Sequence, residues 1–156
     1  MNKLTKIFLA KFDIYDINNK YISWLNDPDV NKYLETKEAS KQSAFRYIRN
    51  INYDPYKEMY SINVEYTNES KFIGTCTAQL DFKNNSCVIG IMIGDKTYWG
   101  KGYGTKAIEA LTHHIKNRHC ITNFKLACKA ENIAAVKCYE KAGFKKTEIS
   151  LELCLE

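Results

Sequence analysis

Apolar positions recur along the chain in two rhythms, one near two residues and one near 3.6, and their alternation divides it into strands and amphipathic helices. Lys6 to Phe12 is a short apolar stretch that predicts a first strand. From Asp16, placed to cap a helix, Ile17, Tyr21, Trp24 and Leu25 keep the helical rhythm until Asn26-Asp27-Pro28 ends it. Beyond a segment carrying Val30, Tyr33 and Leu34, Ser40 opens a second helix with Ala44, Phe45, Tyr47, Ile48 and Ile51, closed by Asn52 to Pro55.

Three strand-like stretches follow, Met59 to Tyr66, Phe72 to Phe82 and Cys87 to Ile93, and their short polar connections predict an antiparallel meander. After Gly94 a glycine-rich segment, Tyr98 to Gly104, leads into a helix with Ala107, Ile108, Leu111 and Ile115 on one face. A strand is predicted around Phe124 to Cys128, then a last helix over Asn132 to Ala142, with Gly143 at a left-handed position, and an extended stretch from Phe144 to Leu155. The pattern is α/β (α+β), a mixed, mostly antiparallel sheet in the order β-α-α-β-β-β-α-β-α-β. Without repeat or linker, residues 1–156 read as a single domain.

Composition narrows the class. A hydrophobic share of 45%, with seven Gly and two Pro, is that of a globular protein and excludes collagen-like or disordered chains. No apolar run reaches the roughly 18–20 residues that span a bilayer, and Lys and Asp interrupt the first segment before a signal-peptide core forms. The expectation is a soluble cytoplasmic protein with no membrane partner. Its net charge of +5 is modest and mostly interleaved, which suits a local anion site better than a nucleic-acid footprint. The six cysteines, Cys76, Cys87, Cys120, Cys128, Cys138 and Cys154, contain no C-x-x-C, and His113, His114 and His119 do not alternate with them. Free thiols in a reducing compartment, and no metal, are expected.

Two segments carry chemistry. In Y-W-G-K-G-Y-G-T-K-A three glycines stand within five residues at a helix start. Uncovered backbone N–H groups and the partial positive charge of that helix end favour an anion such as a pyrophosphate, with Lys101 or Lys106 at the rim. A glycine turn that serves packing alone is the alternative. The spacing matches neither the P-loop nor the dinucleotide fingerprint. In K-A-E-N-I-A-A-V-K-C-Y-E-K-A-G-F, Asn132 and Tyr139 fall two turns apart on one helix face, where both can meet one ligand, unless Tyr139 only packs.

The order of elements, the segment I-G-I-M-I-G-D-K-T-Y-W-G-K-G-Y-G-T-K-A-I and the segment E-N-I-A-A-V-K-C-Y-E-K-A-G-F resemble, over essentially the whole chain, the GNAT superfamily of acetyl-CoA-dependent N-acetyltransferases, and within it the ribosomal-protein alanine acetyltransferase branch. The family's loop [QR]-x-x-G-x-[GA] falls on Trp99, Gly100, Lys101, Gly102, Tyr103 and Gly104, with Trp99 at the Gln/Arg position. The resemblance implies that N–H groups from Gly100 to Thr105 cradle the CoA pyrophosphate and that the strand edge Ile91, Met92, Ile93 pairs with the pantetheine arm. It places Asn132 on pantetheine, counts Lys137 with the cofactor-binding residues, and makes Tyr139 the proton donor to the CoA sulfur. An amine then attacks the thioester directly, and a backbone N–H near Met92 or Ile93 holds the oxyanion.

The amine must lose a proton, since a primary alkylamine has a pKa of ~10.4. Many relatives carry Glu one residue before the I-G, where this chain has Val88. Asp81, Glu65 and Glu35 remain, and spacing selects none of them. The acceptor is expected against the first two helices and their connection, where Trp24, Tyr33 and Phe45 mingle with Asp27, Asp29 and Glu35. A protein N-terminal amine or small-molecule amine stands beside a nucleotide-linked amino-sugar, and the absent Glu admits a different class, a non-catalytic acyl-CoA-binding module. The short stretch after the last helix leaves the acceptor side open or completed by a partner chain, so monomer and homodimer both stand.

Overall fold

The computed structural model of the chain describes residues 3–146 and 151–154. The alternating segments form β1 (Leu4–Lys11), β2 (Lys57–Tyr66), β3 (Ser70–Asp81) and β4 (Ser86–Ile93), each antiparallel to the one before it. The expected meander is present, with β1 paired onto β2 at its edge. Alternation decides which face each side chain enters. Tyr60, Ile62 and Val64 of β2 join Cys87 and Ile89 of β4 in one core cluster, whereas Met59 joins a second cluster on the other face.

Helices cover both faces. On the first, α4 (Tyr103–His119) buries Ala107, Ile108, Leu111 and Ile115, the stripe expected from the 3.6 rhythm. Each large side chain of that stripe contributes about 1.5–3 kcal/mol by leaving water. On the second face lie α1 (Asn19–Asn26), α2 (Pro28–Asn31) and α3 (Lys41–Tyr53), which bury Tyr21, Trp24, Ala44, Ile48 and Ile51 against Phe12 and Met59.

The strand expected around Phe124 is β5 (Asn123–Leu126), and the last helix is α5 (Ile133–Lys141). After Gly143, which takes φ +96°, come β6 (Lys145–Lys146) and β7 (Leu151–Cys154). Among the described residues, the strands run in the order β1-β2-β3-β4-β5-β7-β6, with β4 and β5 parallel.

Several boundaries differ from the sequence expectation. Asp16 caps no helix: it lies in a 3₁₀ turn, Ile14–Asp16, itself capped by Asp13, while Asn18 caps α1 through its side chain. The turn lies just before the rhythm that starts at Ile17, so the periodic pattern carries no sign of it. Pro28 both ends α1 and opens α2, at the first helical position where its missing N–H costs nothing. The single final strand is two, and β7 inserts between β5 and β6. The expected extended stretch also covers 147–150 and 155, which lie outside the described residues, as does the side chain of Cys154.

At the end of the sheet where β4 begins, a polar network ties α4 to β2. The Glu58 carboxylate accepts from Tyr60 Oη, from His119 Nε2 at 2.7 Å and from Arg118 Nε at 3.4 Å, and His114 Nε2 lies 3.2 Å from Tyr60 Oη.

Candidate active site

The site is built where β4 and β5 part. Their parallel ladder joins only Ser86, Cys87 and Val88 to Asn123, Phe124 and Lys125, so the edge of β4 from Ile89 onward has no strand beside it. Ile91, Met92 and Ile93, half-buried, stand on this open lip. Unpaired strand edges present N–H and C=O groups to any extended partner.

Beyond Ile93 the chain turns through Gly94 and a 3₁₀ turn, Lys96–Tyr98, into the glycine loop. Trp99 donates its indole N–H to the carbonyl of Ile93 at 2.8 Å, which staples the loop to the end of β4. Tyr98 is buried, hydrogen-bonded to Tyr66 at 2.9 Å and set edge-on to Tyr103. Gly100 and Gly102 take φ +69° and +83°, in the region that side chains avoid, and a Cβ on either would meet nothing within 4 Å. The loop is therefore glycine for its backbone path and leaves clear space above it.

Gly102 is the N-cap of α4 and supplies no side-chain cap. Among the described residues, the other α-helices are each capped by a side chain: Asn18, Asp27, Ser40 and Asn132. The first donors of α4, at Tyr103, Gly104 and Thr105, thus have no side-chain cap and lie at the positive end of its dipole. Lys101 and Lys106 are exposed beside this turn, and Lys106 Nζ lies 5.9 Å from the centre of the Tyr103 ring.

The third wall is α5. Gly104 packs so tightly on it that a Cβ would come within 2.9 Å of Cys138 Sγ, and Thr105 Oγ1 donates to the Cys138 carbonyl at 3.3 Å. Asn132 is the N-cap of α5 and lies outside it, so the picture of Asn132 and Tyr139 two turns apart on one helix face is corrected. Its Oδ1 accepts the Ala135 N–H at 3.3 Å. Tyr139 is the buried residue of α5. Burial, then the neighbouring thiols of Cys128 and Cys138, raise its hydroxyl well above the ordinary phenol value, so it keeps its proton. Lys137 lies exposed on the same helix.

The fourth wall is the α1–α2 unit. Trp24 lies against Gly94 so closely that a Cβ there would fall 2.0 Å from its ring, and Trp24 also packs on Phe72 at 4.8 Å. Lys96 binds Asp27 at 2.8 Å and Asp29 at 3.0 Å, while Lys20 reaches the Phe72 carbonyl at 2.7 Å and Asp95 at 3.7 Å. From the connection after α2, Tyr33 Oη donates to the Glu131 carbonyl at 3.3 Å, bridging to the start of α5.

The three carboxylates left open by spacing part company here. Glu65 pairs with Lys6 at 3.4 Å on the β1 edge, and Asp81 holds the β3–β4 turn through Asn84. Glu35 sits in the Tyr33 connection near Tyr47, whose hydroxyl is raised first by burial and then by this carboxylate. Val88 is exposed. Sequence reading missed Lys96, whose partners are 67 residues and more away, and Tyr21, a buried tyrosine whose raised hydroxyl comes from burial and then Tyr47.

A mixed sheet parts between two parallel strands above a glycine-lined, uncapped helix start, and the open strand edge runs up to that helix end. The acetyltransferase (GNAT) domain model matches residues 6–145, and the chain belongs to that family. An aminoglycoside N(6′)-acetyltransferase type 1 of Klebsiella pneumoniae is 26% identical over 120 residues, which are 76% of this chain and 56% of that protein. The chain thus spans about half the length of the curated relatives it matches. Among solved structures, the aminoglycoside acetyltransferase AAC(6′)-Ib with coenzyme A and kanamycin superposes with a TM-score of 0.80 at 18% identity, covering 96% of this chain and 95% of that one. Spermidine N-acetyltransferase of Vibrio cholerae with CoA and spermine gives 0.78 at 17%, covering 94% and 92%. RimL, the ribosomal L7/L12 α-N-protein acetyltransferase, with CoA held in a disulfide to one of its cysteines, gives 0.75 at 17%, covering 96% and 93%.

Proposed function

We propose that the protein transfers the acetyl group of acetyl-CoA to a primary amine by direct attack in a ternary complex. The observation that carries this reading is the uncapped, glycine-lined start of α4 lying at the end of the unpaired β4 edge. Pyrophosphate and pantetheine are joined in one molecule, and these two vacancies in the hydrogen-bond pattern are joined in one slot.

In this reading the N–H groups from Gly100 to Thr105, with Lys101 at the rim, hold the pyrophosphate, and Trp99 fixes the loop that carries them. Ile91, Met92 and Ile93 pair with pantetheine, Asn132 offers it the Nδ2 donor left over from capping, and Lys137 flanks the cofactor from α5. The thioester carbonyl then lies at the end of β4, where a backbone N–H of Met92 or Ile93 stabilises the oxyanion. Tyr139, protonated and buried, delivers its proton to the departing sulfur.

The acceptor we propose is a cationic small-molecule amine. Glu35 makes no ion pair among the described residues and stands beside Tyr47 on the acceptor side, so it offers an unneutralised carboxylate to an ammonium. The aminoglycoside and polyamine substrates named for the related proteins are of this chemistry. Calorimetric titration with acetyl-CoA, then thiol release over a panel of kanamycin, spermidine, a peptide N-terminus and a nucleotide-linked amino-sugar, tests the reading. Binding followed by turnover on the polycations is expected. Binding without turnover on any amine would make this an acyl-CoA-binding module, and no binding would remove the CoA reading.

A further inference from the structure

We propose that the outer face of α3 is a docking surface for an acidic protein segment, one whose carboxylates flank an apolar side chain. This surface goes beyond the acetyl-transfer reading and does not depend on it. At about 100° per residue, Gln42, Arg46, Arg49 and Tyr53 stand opposite the stripe Ala44, Ile48 and Ile51 that α3 buries, with Lys41 and Phe45 along one flank.

The charge of this helix is of one sign. Between Lys41 and Tyr53 there are three cations and no Asp or Glu, whereas α4 and α5 set Glu109 and Glu140 among their lysines. None of Lys41, Arg46 and Arg49 makes an ion pair among the described residues. Lys41 also holds the first helical position, where the positive end of the dipole disfavours a cation. A charge set against the helix's own preference, and left unneutralised by the described residues, suits carboxylates arriving from outside.

The same face keeps large rings in water. Phe45 is 41% exposed and Tyr53 81%, and the Arg49 guanidinium lies 5.7 Å from the centre of the Tyr53 ring. Arg and the aromatic residues are the side chains enriched at protein interfaces. Among the described residues, Lys41, Gln42, Phe45 and Arg46 line an open hollow of about 480 Å³, the size of a ligand pocket. An apolar side chain seated against Phe45 brings the carboxylates beside it to Lys41 and Arg46, and the planar Arg fork accepts a carboxylate on two bonds.

Reach decides between an acidic protein and a nucleic acid. From Lys41 to Arg49 the helix rises roughly 12 Å, which spans about two or three carboxylates on one side of an extended segment. A duplex held through about 6–10 phosphates needs a longer basic track, and this one is bounded in sequence by Glu38 and Asp54.

The test titrates the full chain, without CoA, into a fluorescein-labelled Glu-rich peptide with one central Phe and follows its anisotropy. Expected is saturable binding that weakens about tenfold or more when Gln replaces Glu in the peptide, when Ala replaces its Phe, and when the protein carries Arg46→Glu with Arg49→Glu. Lys11→Glu with Lys83→Glu makes the same change of net charge at other exposed positions. That control should keep the Kd within about twofold, since screening confines exposed charges to a reach of ~8–10 Å. Absence of binding, equal binding of the Gln peptide, or an equal loss in the Lys11 and Lys83 variant would overturn the proposal. Tighter binding of single-stranded oligothymidylate than of the peptide would overturn it in favour of a nucleic-acid surface. Since CoA is absent from this titration, its failure leaves the acetyltransferase reading untouched, and a chain that binds the peptide but not CoA would lose only that reading.

Discussion

Tyr139 and Trp99 make separable contributions. Tyr139→Phe keeps the buried ring and removes the proton, so kcat should fall about 10²-fold with the Kd for acetyl-CoA little changed, measured by steady-state kinetics beside calorimetry. Unchanged kcat would leave Tyr139 as packing alone. Trp99→Phe removes the indole donor and frees the Ile93 carbonyl. Losing one such bond costs about 0.5–1.5 kcal/mol, so the KM for acetyl-CoA should rise about tenfold or less while kcat holds. Gln or Arg at this loop position would be read from sequence as a ligand-binding side chain. In this chain the side chain is stapled to the strand instead, which no motif spacing reveals.

Among the elements, α1 includes one contact, Trp24 on Gly94, that tolerates no added atom. Gly94→Ala would drive a methyl group into the Trp24 ring, which also meets Phe72 at a tilt of 48°. An overpacked core of this kind loses about 1–3 kcal/mol, read as a lower urea midpoint. Because α1 and α2 are the proposed acceptor wall, the acceptor KM should rise more than that for acetyl-CoA. Lys96→Ala is the contrasting case. Its ion pairs are half-exposed, and such pairs contribute about 0–1 kcal/mol, so thermal stability should hardly move. The helices and strands near the site were largely legible, since each is written in its own hydrophobic rhythm. What the rhythm hid were the 3₁₀ turn at Ile14–Asp16 and the capping role of Asn132, because a cap lies one residue outside the pattern it terminates.

Across the whole molecule, the parting of β4 and β5 is a property of register and is absent from either strand's own sequence. The glycine loop and Tyr139 could be picked out one by one, but the slot between them depends on a ladder that stops at Val88 and Lys125. The Glu58 network at the other end of the sheet was illegible for the same reason, its partners being brought together only by folding. Burial alone would raise the Glu58 carboxyl, but hydrogen bonds from Tyr60 and His119 and the nearby charges of His119 and Arg118 outweigh it and hold it below the ordinary value. A depressed carboxyl stabilises the fold above the unfolded pKa of ~4.3, and that stability is lost as pH falls through ~4.3 toward the folded value. Urea midpoints should therefore drop between about pH 5 and pH 3.5 in the wild type and drop less in Glu58→Gln.

The insertion of β7 between β5 and β6 carries a consequence for the order in which the molecule assembles. The meander β1 to β4 pairs neighbours along the chain, whereas β5 has its second ladder only with Leu151–Cys154, made after α5 and β6. During synthesis, β5 therefore stays unsupported on that edge until Leu151–Cys154 emerge from the ribosome, and pulse-labelled hydrogen exchange should protect β2 and β3 before β5.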